Sequence, residues 1–147
     1  MSPEKSVGIH LYIIIQRPSL DHCTSQRRCT MTTSKQQVGK LGEDVAVDYL
    51  LGQGYRIITT NWRCKWGEID IIAHDGREWV FIEVKTRRSI HDNTPFENIT
   101  PAKMHRLIKV AYMYAHSQQI HSWRIDAIAV ILGKSAHIEH IQNAFTD

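Results

Sequence analysis

Asp70, Glu83 and Lys85 are the residues of this 147-residue chain whose types and spacing could do chemistry together. Glu78–Thr86 alternates, with Val80, Ile82 and Val84 opposite Trp79, Phe81, Glu83 and Lys85, as a half-buried strand does. Gly67–Ala73 alternates too, with Glu68, Asp70 and Ile72 opposite Ile69, Ile71 and Ala73. Asp75-Gly76 lies between the two runs and predicts a two-residue hairpin. Closed there, the hairpin sets His74 against Arg77, Asp70 against Phe81 and Glu68 against Glu83. Asp70, Glu83 and Lys85 then leave the sheet on one side. Asp70 and Glu83 become diagonal neighbours, roughly 7–8 Å apart at the backbone. A loop changed by two residues keeps that shared face, and a slip of one destroys it.

Two carboxylates converging from adjacent strands repel unless a cation lies between them. Oxygen ligands with open water positions suit Mg²⁺ or Mn²⁺. Such an ion polarises a phosphodiester and lowers the pKa of bound water. Lys85 is placed to orient the attacking water or to stabilise phosphate charge. Glu43, at the edge of a helix, could add a ligand directly or through water. The plain alternative is an exposed Glu83–Lys85 pair worth about 0–1 kcal/mol. Three features bring the metal-dependent nuclease level with that reading. This is the chain's single Glu-x-Lys or Asp-x-Lys, it lies in an apolar strand, and it follows a hairpin that brings Asp70 to its face.

The surrounding elements follow from periodicity. Val38, Leu41, Val45, Ala46, Tyr49 and Leu50 recur at helical spacing, and Gly52 and Gly54 end that helix. Tyr55–Thr60 reads as a strand. Residues 87–99 read as a loop. Thr100-Pro101 starts a second helix that runs to about Ser117, with Met104, Leu107, Ile108, Ala111 and Ala115 as its apolar stripe. Trp123–Leu132 reads as a strand and Ile138–Ile141 as a short final one. The expected core is α/β in the order α-β-β-β-α-β.

Composition bounds the rest. Apolar content is 42% and charged content 22%, ordinary for one soluble domain. The formal net charge is +3. Most of the positive excess lies in residues 1–30, where Lys5, Arg17, Arg27 and Arg28 stand against Glu4 and Asp21. Global charge therefore makes no case for nucleic acid, and local patches must carry it. Residues 16–37 are polar, and Met31 fits a natural start of a 31–147 domain. Residues 1–30 are then a disordered extension, and a genuine flexible tail is the other reading. Leu11–Ile15 is too short to span a bilayer, and no small-residue cleavage site follows it. Cys23, Cys29 and Cys64 form no disulfide framework or CxxC pair, which fits a reducing cytoplasm.

Arg63, Lys65, Arg87, Arg88, Lys103 and Arg106 are candidate phosphate contacts, with Trp62 or Trp66 as a stacking platform. For Lys103, Arg106 and Lys109 the plain reading is the solvated face of a helix. The tryptophans could equally be core. The nine histidines lack ligand spacing and read as surface residues, His137 and His140 falling on opposite strand faces. Arg124 and Asp126 share a strand face and read as a structural pair. Cys64 reads as a packed thiol.

Several blocks resemble a known pattern: Gly42-Glu43, Asn61-Trp62-Arg63, Gly67-Glu68-Ile69-Asp70, Phe81-Ile82-Glu83-Val84-Lys85-Thr86-Arg87, Ile99-Thr100-Pro101-Ala102-Lys103 and Arg124-Ile125-Asp126. Together they are similar to the bacterial YraN family, over about Val38 to Phe145. That family is grouped with the PD-(D/E)xK nucleases, and is similar to archaeal Holliday-junction resolvases. The resemblance implies a restriction-endonuclease-like fold with a mixed central sheet. It also implies an Mg²⁺- or Mn²⁺-dependent endonuclease acting on DNA, branched or damaged, with Glu43, Asp70, Glu83 and Lys85 as its active site. Ile69 precedes Asp70, where the superfamily's name implies proline. By analogy, cutting both strands of a junction needs two sites and hence a homodimer. The alternative is a nucleic-acid-binding protein with the nuclease fold and no useful catalysis.

Overall fold

The computed structural model describes residues 34–88, 100–133 and 135–144, and the backbone of His10–Ile15. Its elements are β1 (His10–Ile15), α1 (Lys35–Gly52), β2 (Arg56–Cys64), β3 (Gly67–His74), β4 (Trp79–Arg87), α2 (Pro101–Ser117), β5 (Trp123–Leu132) and β6 (Ala136–Ile141). From α1 to β5 this is the α-β-β-β-α-β order. The strands form one mixed sheet in the order β1-β6-β5-β4-β3-β2. β4 and β5 run parallel, joined through α2, and every other neighbouring pair is antiparallel. The start at Met31 and residues 89–99 of the expected loop lie outside the described residues. Within the leading segment expected to be disordered, His10–Ile15 pairs along the whole of β6. This apolar, isoleucine-rich run suits a strand, and β6 offers it an unpaired edge.

α1 begins three residues before the first apolar position that periodicity marks. A capping box explains this: Gln37 N donates to Ser34 Oγ (3.3 Å), and Ser34 N donates to Gln37 Oε1 (2.9 Å). Its buried face is Gly42, Ala46, Tyr49 and Leu50, whereas Leu41, expected inside, is 43% exposed. α2 starts at an N-cap, Thr100, whose side chain accepts from Lys103 N, and Pro101 takes the first turn. It buries Leu107, Val110, Ala111, Tyr114 and Ala115.

The helices cover opposite faces of the sheet. On the α1 side, Ala46, Tyr49 and Leu50 pack with Ile71, Ala73, Val80, Ile82, Val84, Ile128 and Val130. On the α2 side, Leu107, Val110, Ala111 and Tyr114 pack with Ile69, Ile72, Phe81 and Ile125. Each such Val, Leu, Ile or Phe contributes about 1.5–3 kcal/mol by leaving water. Phe81 is the hub of the second cluster, meeting Tyr114 and Trp123 edge to face.

Two registers differ from expectation. The β3–β4 ladder closes on His74↔Trp79 and continues through Ala73↔Val80, Ile72↔Phe81 and Ile71↔Ile82. The loop thus holds four residues, Asp75 to Glu78, rather than two. The Asp75 carboxylate captures Arg77 N (2.9 Å) and Glu78 N (3.0 Å), which makes the wider turn self-contained. A shift of two residues keeps Glu83 on the same face as Ile72 and Phe81. Alternation also breaks at Asp70. Ile69 joins Ile72 on the α2 side, while Ile71 goes with Ala73 to the α1 side. Across from it in β2, Asn61 has φ 53°, a left-handed conformation that asparagine tolerates. Glu68 does not face Glu83; it pairs with Arg63 of β2.

Candidate active site

At the end of the sheet, the C-terminal part of β4 and the N-terminal part of β3 emerge between the first turns of α1 and α2. A cleft of about 930 Å³ opens there. Glu43, Asp70, Glu83 and Lys85, the four residues named from the sequence, all line it, with Arg63, Lys103 and Arg106. Open α/β sheets bind ligands at the carboxyl ends of parallel strands, and β4 supplies such an end here.

Glu83 is nearly buried, yet it has two cationic partners. Lys85 Nζ lies 2.5 Å and Lys103 Nζ 2.6 Å from the same oxygen, Oε1. Lys103, a candidate phosphate contact whose plain reading is a solvated helix face, reaches back onto the carboxylate. The Thr100–Pro101 cap places it in the first turn, over the sheet end. Burial is the largest single influence on Lys103 and opposes its charge, but the hydrogen bond and charge of Glu83, the contact with Lys85 and the charge of Asp70 together outweigh it and raise its pKa.

Among the described residues, no lysine or arginine forms an ion pair with Asp70, although the charge of Lys85 acts on it. Its Oδ2 accepts from Val84 N at 2.8 Å. Burial first, and then the negative charge of Glu83, push its carboxyl up to about 7. Glu43 adds to that repulsion, while the Val84 hydrogen bond and Lys85 oppose it. Glu43 itself accepts from Asn61 Nδ2 at 2.9 Å, so the kinked β2 residue steers the helix carboxylate.

Gly42 explains how Glu43 gets there. A Cβ on Gly42 would lie 1.8 Å from Thr86 Oγ1. Glycine therefore lets α1 lie directly on β4, and the next residue faces the cleft. Gly42 and Asn61 stand in blocks singled out from the sequence, but their contacts, like that of Lys103 with Glu83, were not expected from it. A glycine inside a strongly periodic helix was the available signal for the first. The other two depend on which elements meet.

Among the described residues, no three His, Cys, Asp or Glu side chains come together as a ready metal cage. The donor chemistry does fit an ion that keeps most of its waters and takes one or two carboxylates, as Mg²⁺ does. Asp70 and Glu83 would be those carboxylates, and the charges of Glu83 and Glu43 that act on Asp70 are what a cation would offset.

The remaining candidates separate. Lys65 sits on the turn beside the cleft. Arg87 and Arg88 are not among the residues that line it. Arg63 forms an exposed ion pair with Glu68 at 3.0 Å. Trp62 packs in the α2-side core, edge-on to Tyr114, while Trp66 is 42% exposed. Cys64 is half-buried and packs against the same core.

Arg124 and Asp126 form the structural pair expected, at the far end of the parallel strands. Arg124 Nε and Nη2 donate to the Asp126 carboxylate at 3.0 and 3.2 Å. Nη1 donates to Asp75 (2.5 Å) and Glu78 (3.1 Å). His140 corrects the expectation of surface histidines. It is buried, with Nε2 3.0 Å from Asp126 Oδ2 and Nδ1 3.3 Å from Tyr49 Oη.

Fold and site together define an α/β protein with a carboxylate–lysine cleft at the end of a mixed sheet. The chain belongs to the uncharacterised protein family UPF0102, the YraN family, whose model matches residues 42–130. It is 46% identical over 113 residues to a UPF0102 protein of Renibacterium salmoninarum, covering 74% of this chain and 96% of the relative. A UPF0102 protein of Mycolicibacterium vanbaalenii is 45% identical over 108 residues, covering 71% and 88%. One from Clostridium botulinum is 45% identical over 114 residues, covering 74% and 93%. No helix among the described residues is long and apolar enough to cross a membrane.

Proposed function

We propose that this chain is a metal-dependent endonuclease of the restriction-endonuclease-like type, hydrolysing phosphodiester bonds in DNA. The observation that carries this reading is the convergence of Asp70, Glu83 and Lys85 in one cleft, with Glu43 brought in by α1. Asp70 and Glu83 would hold Mg²⁺ or Mn²⁺, with Glu43 adding a ligand through water. Bound there, the ion supplies Lewis-acid polarisation of the scissile phosphate and a lowered pKa for water. The chain's own residues do the rest. Lys85 holds Glu83 in place and offers an ammonium to the negative charge that builds on the phosphate. Lys103 and Arg106 flank the cleft and bind the phosphates on either side of the scissile bond. Asn61 fixes the carboxylate of Glu43. A homodimer, placing two clefts on a branched substrate, and a cytoplasmic setting complete the proposal.

The test is incubation of the full chain with linear, flapped and branched DNAs in Mg²⁺ or Mn²⁺. Cleavage that disappears in Asp70→Asn and Lys85→Ala is expected. Cleavage that persists in both would sink the assignment of the site. A second reading has its own observation, the double pairing of Glu83 with Lys85 and Lys103, which neutralises a ligand in the absence of metal. In that reading the cleft binds DNA without cutting it. Calorimetry separates the two, because only the first expects Mg²⁺ or Mn²⁺ binding that Asp70→Asn abolishes.

A further inference from the structure

Four tryptophans are distributed unequally. Trp62, Trp79 and Trp123 pack against the α2-side core, whereas Trp66 stands 42% exposed on the turn between β2 and β3. Exposure of an indole is usually accompanied by looseness of the segment that carries it. Here the turn is pinned. Gly67, with φ 152°, presses so close to α2 that a Cβ on it would lie 3.2 Å from Val110 Cγ2. Trp66 N donates to Cys64 Sγ at 3.4 Å, closing the turn on itself. The backbone that carries the ring is therefore held beside the cleft, between Cys64 and Gly67, which both line it.

Two ammoniums accompany the ring. Lys109 Nζ from α2 lies 3.9 Å from its centroid, and Lys65 Nζ from the turn 5.0 Å. An exposed aromatic ring with cations over it combines the stacking surface and the positive charge by which proteins hold single-stranded nucleic acid. The base stacks and the cations take its flanking phosphates. An exposed cation–π contact is weak, so a stacked base displaces Lys109 onto the adjoining phosphate at little cost.

The geometry points to Trp66 as a stacking platform for an unpaired nucleobase, with Lys65 and Lys109 on the phosphates beside it. This rests on the nuclease reading of the cleft and narrows its substrate. A base inside a duplex is covered on both faces, so only unpaired nucleotides can lie on Trp66. The favoured DNA therefore has a single-stranded segment next to the bond in the cleft, as a flap, gap or branch point has.

The experiment measures binding of the full chain to a fluorescent oligo(dT) strand, a flapped duplex and a blunt duplex, in EDTA so that nothing is cut. Trp66→Ala is expected to weaken oligo(dT) and flap binding about 5–100-fold, with blunt-duplex binding nearly unchanged. Trp66→Tyr is expected to restore most of the loss, because it keeps a ring. Lys109→Ala is expected to lower the salt dependence of oligo(dT) binding by about one counterion. Equal binding of oligo(dT) by Trp66→Ala and the unaltered chain overturns the platform while leaving the nuclease reading intact. An equal loss on blunt duplex also overturns it, since that marks a general phosphate surface. Failure of the unaltered chain to bind any of the three DNAs overturns the platform, while the nuclease reading stands or falls on cleavage with Mg²⁺ or Mn²⁺.

Discussion

Two polar clusters lie at opposite ends of the β4–β5 parallel pair, and they are built on opposite electrostatic rules. At the start of these strands, on the α1 side, Asp126 is fully buried and completely answered. It accepts from two Arg124 nitrogens and from Asn143 N (2.8 Å), and His140 Nε2 lies against it. Arg124 also reaches Tyr55 Oη at 3.0 Å. At the other end, between α1 and α2, Asp70, Glu83 and Glu43 crowd one cleft, and the ammoniums of Lys85 and Lys103 go to Glu83. The first cluster resolves its charges internally, as a structural network must. The second leaves Asp70 under strain that only a proton or a cation relieves. Strongly perturbed carboxylates cluster at functional sites, which makes the second cluster the candidate.

The largest effect is expected where the charges are answered. Arg124→Ala leaves Asp126 buried without its main partner and should cost about 3–5 kcal/mol of stability, read by urea unfolding. A loss under about 1 kcal/mol would erase the contrast between the clusters. Lys85→Ala should do the reverse. We expect cleavage to fall by about 10²–10³-fold, with a thermal midpoint near that of the unaltered chain. A folding defect with unchanged turnover per folded molecule would make Lys85 a framework residue.

Gly42→Ala tests the support of the cleft, where α1 lies on β4. The added methyl collides with Thr86, so about 1–3 kcal/mol of stability should be lost. Cleavage should fall further than Tm predicts, because Glu43 is displaced. A neutral result would mean that α1 does not depend on this contact.

The two clusters should also titrate in opposite directions. The Asp70 carboxyl is raised to about 7 from 3.8, so its contribution to stability is full below pH 3.8 and is lost as pH rises through about 7. Without divalent ions, the chain should therefore weaken across that range, and Asp70→Asn should flatten the decline. Asp75 is the opposite case. Burial pushes its carboxyl up, but hydrogen bonds from Glu78 N, Arg124 and Arg77 N outweigh this and lower it to about 2. Its contribution is present above pH 3.8 and lost as pH falls through about 2. Denaturant midpoints across pH, in the unaltered chain, Asp70→Asn and Asp75→Asn, separate the two slopes. The smallest effect belongs to neither cluster. Lys40 and Asp44 make an exposed ion pair at 3.2 Å on α1, and Lys40→Ala should change stability by no more than about 0.5 kcal/mol.

Much of this was legible in the residues themselves. Strand period puts Glu83 and Lys85 on one face whatever the rest of the chain does, because side chains alternate with period two. The Thr100-Pro101 start of α2 and the hairpin around Asp75-Gly76 are written in local turn and cap chemistry. The β4 face survived a two-residue error in that hairpin because register errors of two preserve the face. What local patterns could not supply were contacts between distant segments. The break of alternation at Asp70 needs the left-handed Asn61 opposite it. The second cation on Glu83 needs α2 to start over the end of β4. The burial of His140 needs Tyr49 and Asp126, which lie far from it in sequence, to converge on it. The sequence by itself determined which side chains could share a face. The tertiary structure decided which charges are satisfied, because charge compensation depends on distances between elements that no local spacing encodes.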